Sequence, residues 1–152
     1  MPAELIEESI DIDGTPEQVW AVVSDLARMG EWSPQCKKML VLGGPVKAGT
    51  RTFNLNRRGP LFWPTSAKVV IFEPNKAIGW KITENRTVWS YTITEREGGV
   101  TLTESRKAAD GKTTALSGFL VDKAFGGNDG FEAELQTGMR ETLGKVKRAV
   151  EN

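Results

Sequence analysis

Two hydrophobic periods divide this chain. From Val41 to Ala109, apolar residues recur at every second position in short runs broken by glycine and proline, the spacing of half-buried strands. From Asn128 to Val150 the period is helical. At 100° per residue, Leu135, Met139, Leu143, Val146, Ala149 and Val150 fall within roughly 120° of one another, with Thr137, Arg140, Glu141, Lys147 and Arg148 on the far side. Asp129 and Glu132 suit the positive end of that helix, and Lys145, Lys147 and Arg148 suit the other.

The remaining elements follow in order. Glu4–Asp13 reads as a first strand whose charge suits a sheet edge, stopped by Gly14. Thr15-Pro16-Glu17-Gln18 predicts a helix start: Thr15 caps, Pro16 takes the first helical position and Gln18 closes a capping box. Val19, Val22, Val23 and Leu26 then face one way, and Trp32-Ser33-Pro34 forces a turn. Strands are predicted at Cys36–Gly44, Gly49–Arg58, Phe62–Glu73, Ala77–Thr83, Arg86–Arg96 and Val100–Ala109, with Pro64 marking an edge or bulge. Short turns without long crossovers make this an antiparallel meander. About seven strands, two short helical segments after the first, and one long terminal helix predict an α+β architecture in which a curved sheet wraps that helix.

Alternation groups the strand residues into faces. Phe53 and Leu55 share one face, opposite Thr52, Asn54 and Asn56. Ile78, Trp80 and Ile82 share another, as do Trp89, Tyr91 and Ile93, and Val100, Leu102, Glu104 and Arg106. A slip of one residue would reverse any of these rows.

Composition narrows the chemistry. Twenty basic and twenty acidic residues cancel, so a basic footprint for nucleic acid is absent and no nucleic-acid partner is expected. The acidic start, MPAELIEESIDID, is not a signal peptide, and no apolar run is long enough to span a bilayer. A cytoplasmic protein without stable membrane insertion is expected, as one domain over residues 1–152. The chain has no histidine and one cysteine, Cys36. That excludes serine–histidine and cysteine–histidine nucleophile systems and histidine-bound metals, and argues against structural zinc. No metal site and no cofactor are expected. Any chemistry must come from carboxylates, Arg, Lys, Tyr, hydroxyls or water.

With these elements in place, the chain resembles the START-like superfamily, and within it the bacterial polyketide cyclase/dehydrase and lipid-transport proteins. The resemblance rests on the Pro16–Asp25 helix (PEQVWAVVSD), the E-W-S-P turn at Glu31–Pro34, the strand order, and the run GMRETLGKVK at Gly138–Lys147. It implies a helix-grip fold with a deep cavity between sheet and C-terminal helix. It also implies a hydrophobic small-molecule ligand such as a lipid or polyketide, held by a carrier, a sensor, or a cofactor-free cyclase or dehydratase. Family membership does not choose among these.

The candidate cavity lining is Phe53, Leu55, Trp80, Trp89, Tyr91, Phe131, Leu135 and Met139, since aromatic rings offer broad apolar surface and methionine adapts to varied shapes. The same residues would serve as plain core. Asn54, Asn56, Arg58, Lys81, Glu104 and Arg106 are polar candidates for the interior, although a water-facing strand row is the expected place for them. Glu104, Tyr91 and Arg106 are the candidates for acid–base work, with no diagnostic spacing. Leu116–Phe125 is a glycine-flanked apolar segment suited to a lid, a dimer contact or core. A monomer or homodimer is expected, and a dimerising module with a vestigial cavity is the remaining alternative.

Overall fold

The computed structural model describes residues 5–84, 86–108 and 128–151, and for 128–132 the backbone alone. Its elements are β1 (Leu5–Ile12), α1 (Pro16–Val23), a single 3-10 turn (Leu26–Arg28), α2 (Met29–Trp32), β2 (Cys36–Leu42), β3 (Arg51–Arg58), β4 (Leu61–Glu73), β5 (Ala77–Ile82), β6 (Val88–Arg96), β7 (Gly99–Lys107) and α3 (Asn128–Glu151). The seven strands form one antiparallel sheet in the order β1-β7-β6-β5-β4-β3-β2. This is the expected helix-grip arrangement. The meander runs from β2 to β7, and β1 closes onto β7 as an edge strand.

Local chemistry accounts for the elements. The Thr15 hydroxyl accepts from the Gln18 amide at 3.1 Å, and the Gln18 side chain accepts from the Thr15 amide at 2.9 Å, so α1 starts on a complete capping box. The β3–β4 hairpin pairs Arg58 with Leu61 across Gly59-Pro60, where Gly59 takes φ +58°, a value suited to glycine. Pro64 lies in the part of β4 that overhangs β5. Two residues on, the Ser66 amide points away from β3 to the Glu84 carboxylate at 2.8 Å, so the nitrogen of Pro64 faces the same open side. The bulge falls later, between Val69 and Ile71.

The apolar core is in two parts. The second half of α3 contributes Leu143 and Val146 to a large cluster with α1, Trp32 and the inner rows of β4 to β7. Its first half makes a smaller cluster, Leu135 and Met139 with Ile6 of β1 and the flank of Trp89. The site lies beside that smaller cluster.

The inner row of β3 is Thr52, Asn54, Asn56 and Arg58, and its outer row carries Phe53 and Leu55. Phe53 is 57% and Leu55 41% exposed. The expected cavity-facing role of Phe53 and Leu55 is therefore corrected. Register with Val41 and Ala67 turns Thr52 inward, and the pleat then sends Phe53 and Leu55 outward. The expectation that the polar residues would face water is corrected for Asn54 by the same register, and for Glu104 and Arg106 by the pairing of β7 with β1 and β6; all three are buried. Lys81 faces solvent. The Leu116–Phe125 segment lies outside the described residues.

Candidate ligand-binding site

A cavity of about 430 Å³ opens between α3 and one end of the sheet. One wall is α3, through Leu135, Gly138, Met139 and Thr142; the opposite wall is Trp89 of β6 and Glu104 of β7. The rim is made by the Ser33-Pro34-Gln35 turn and by Arg57, Arg58 and Gly59 of the β3–β4 hairpin. Gly138 permits the close approach of α3 to that turn, since a Cβ there would stand 3.3 Å from the Pro34 ring. The turn itself is braced by the Ser33 hydroxyl, which accepts from the Cys36 amide at 3.0 Å. Across the rim, the Glu134 carboxylate of α3 accepts from Nε and Nη2 of Arg58, clamping the hairpin to the helix. That pairing lowers the Glu134 carboxyl and raises the Arg58 guanidinium from their ordinary values.

Glu104 is the central polar group. Its strand places it opposite Tyr91 on β6 and Glu8 on β1, in a row whose other members are Val100, Leu102 and Arg106. Glu8 turns to Arg140 of α3, which donates to it at 2.8 Å, and so does not serve Glu104. Glu104 is 7% exposed, and its Oε1 has no hydrogen-bond partner among the described residues. Burial without a compensating cation pushes its carboxyl to about 8, so near neutral pH it is mostly a neutral acid. It can donate a hydrogen bond to an oxygen in the cavity, and it stands close enough to neutrality to exchange a proton.

The other predicted residues distribute unevenly. Trp89, Leu135 and Met139 border the cavity. Trp80 and Tyr91 are buried in the main core, ring against ring at 5.9 Å, and do not border it. The Tyr91 hydroxyl points to the Met29 sulfur at 3.9 Å, and the phenol is raised well above its ordinary value by burial, then by Glu104 and Cys36. Arg106 is buried one pair further along β7, opposite Trp89, and is also not part of the lining. Of the acid–base candidates, Glu104 alone among the described residues reaches the cavity. The side chain of Phe131 lies outside the described residues. Cys36 is partly buried, its thiol pushed up to about 11 by desolvation.

Sequence reasoning missed Thr142, Glu134, Gly138 and the Arg57 rim as neighbours of the site. Thr142 stands three residues after Met139, a helical spacing that carried the signal, but its hydroxyl set it aside from the apolar stripe. Among the described residues no group of three acidic, cysteine or histidine side chains is arranged to hold a metal, and no helix is long and apolar enough to cross a membrane.

Comparison with known proteins follows the same lines. The solution structure of a polyketide-cyclase-like protein from Corynebacterium glutamicum is 33% identical, covering 99% of this chain and 94% of that one, with a TM-score of 0.63. Two di-domain ARO/CYC crystal structures share the fold at lower identity. BexL, from the BE-7585A biosynthetic pathway, is 18% identical with a TM-score of 0.73, covering 97% of this chain and 50% of that one. StfQ, from the steffimycin biosynthetic pathway, is 12% identical with a TM-score of 0.75, covering 99% and 51%. No curated protein sequence matches the chain. The model of one family matches residues 4–151, and the chain accordingly belongs to the polyketide cyclase/dehydrase and lipid transport family.

Proposed function

We propose that this chain, acting as one domain in the cytoplasm and without a cofactor, binds a hydrophobic small molecule that carries an oxygen acceptor. The apolar body of the ligand lies against Trp89, Leu135 and Met139, and its carbonyl or hydroxyl oxygen accepts a hydrogen bond from the protonated Glu104 carboxyl. The observation that carries this reading is the buried carboxyl whose Oε1 is left without a partner in a cavity that also presents Trp89, Leu135 and Met139. A buried polar group left unpaired is costly, and a ligand oxygen supplies the missing bond. A volume of about 430 Å³ suits a small ligand. Family membership supports the same class of ligand.

Native mass spectrometry of the purified protein, followed by organic extraction, tests this directly. An apolar, oxygen-bearing compound is expected to be retained, and Met139→Trp, which fills the cavity, is expected to abolish retention. A clean apo mass together with failure to bind any lipophilic fluorophore overturns the proposal.

The second reading is cofactor-free cyclisation or dehydration of a polyketide-like substrate. It is favoured by one feature, the carboxyl held near 8, from which a proton can be given or taken during enolisation beside a carbonyl. Turnover that Glu104→Gln removes while ligand retention persists selects this reading; retention without turnover in the wild type selects a carrier or sensor.

A further inference from the structure

The outer face of the sheet is unlike itself from one side to the other. On the β1, β7 and β6 side its rows carry small hydroxyls tied laterally, Ser9 to Thr103 and Ser90 to Ser105, each at 2.8 Å. On the β2, β3 and β4 side the same face carries large apolar side chains among cationic ones. Leu40 pairs with Phe53 and Leu55 with Pro64, and Phe62 follows two residues before Pro64. Leu40 is 50%, Phe53 57% and Phe62 53% exposed. A contiguous exposed apolar patch of this kind marks a surface of interaction.

Charge selects the occupant. Lys38, Arg51, Arg57 and Lys68 stand in the same outward rows, and Lys81 pairs with Lys68 across β5. Of the nearby carboxylates, Glu84 is held by the amide and hydroxyl of Ser66 at 2.8 and 2.9 Å, and Glu73 lies at the far end of β4. A second copy docked on this face about a two-fold axis would set these cations against their own images. An anionic bilayer complements them, with apolar side chains reaching the acyl boundary and cationic stems remaining at the headgroups. The hairpin already shows that layering: the Arg57 guanidinium lies over the Phe62 ring, 5.1 Å from its centroid. Arg57 also borders the cavity, so the rim of the site meets whatever covers this face.

We propose that the β2–β4 outer face, built on Leu40, Phe53, Leu55 and Phe62 with a basic rim, docks reversibly on anionic lipid surfaces. This stands on the outer face alone and does not require the cavity to be occupied.

Flotation with vesicles of equal parts phosphatidylcholine and phosphatidylglycerol, against pure phosphatidylcholine, tests it. The wild type is expected on the anionic vesicles only, and to be released by high salt. Each basic residue at such a surface contributes about fivefold, so Lys38→Glu with Lys68→Glu is expected to weaken binding at least tenfold. Phe53→Ser with Phe62→Ser, both solvent-facing and compatible with folding, is expected to do the same. Absence of binding to anionic vesicles overturns the proposal, as does binding that neither variant weakens. A Phe53-dependent dimer, or capture of an acidic protein, with no vesicle binding would assign the face to that partner and overturn it equally. Fluorophore binding in the cavity is read separately, so loss of one property with retention of the other tells which inference fails.

Discussion

Thr52–Asn56 of β3 and Val100–Thr103 of β7 both alternate polar and apolar residues, yet these stretches sit in the sheet with opposite polarity. The inner row of β7 places Val100 and Leu102 in the main core, and its outer row carries Thr101, Thr103 and Ser105. The inner row of β3 is polar, and its phenylalanine and leucine face solvent. The difference is tolerated because the β3 row satisfies itself. The Thr52 hydroxyl donates to Asn54 Oδ1 at 2.9 Å, and the Asn54 and Asn56 amides donate to the Thr65 hydroxyl at 3.2 and 2.9 Å. On β7, Glu104 Oε1 has no hydrogen-bond partner among the described residues, and the cavity lies beside it. A paired polar row thus forms structure, and an unpaired carboxyl oxygen beside a cavity is available to a ligand.

The sharpest way to break this contrast is through pH. Glu104 ionises near 4.5 as a free side chain and near 8 in the fold, so the folded state holds the extra proton between those values. The contribution of Glu104 to stability is therefore complete below pH 4.5 and is lost as pH rises from there through the folded value near 8, by about 1.4 kcal/mol per pH unit and roughly 5 kcal/mol in all. Glu104→Gln is expected to flatten urea-denaturation midpoints across this window. Glu31, Glu134 and Glu151 are held below their ordinary values and titrate beneath it. Equal slopes in variant and wild type would show that Glu104 is charged or paired.

Next in size is the inner–outer exchange itself. Leu102→Ala removes a fully buried side chain and is expected to cost about 2–5 kcal/mol, whereas Phe53→Ala on the outer row should stay within about 0.5 kcal/mol. Equal costs would mean that the outer row of β3 is covered in solution. Asn54→Ala leaves Thr52 and Thr65 short of a partner, and about 1–3 kcal/mol of stability should be lost in chemical denaturation. A neutral result would make the polar row of β3 merely tolerated. The smallest effect belongs to the rim. Glu134→Gln breaks a half-exposed ion pair with Arg58, for which about 0–1 kcal/mol is expected.

What was legible in the sequence was what depends on neighbours along the chain. The capping box at Thr15 and Gln18, the edge strand β1, the open side at Pro64, the meander and the apolar stripe through Leu135, Met139, Leu143 and Val146 are all set by spacing and by residue chemistry within a few positions. Glu104 was legible only as a candidate, one of two charges in a row with Val100 and Leu102. Its lack of a partner depends on Glu8 turning to Arg140, on Tyr91 reaching Met29 and on the wall of α3, three contacts made by elements far away in the chain.

The faces of β3 were beyond the sequence for a sharper reason. A period of two states that Phe53 and Leu55 share a face without stating which face the rest of the protein covers. By itself the sequence determined the elements, their order and the sheet-around-helix class, because hydrophobic period and turn chemistry act locally. The tertiary structure alone decided that β3 is turned with its polar row inward, that Trp80 and Tyr91 are core while Trp89 borders the cavity, and that one carboxyl oxygen is left unpaired. Each of these is settled by register and by what packs across the sheet, and burial and hydrogen-bond satisfaction exist only once those distant partners are in place.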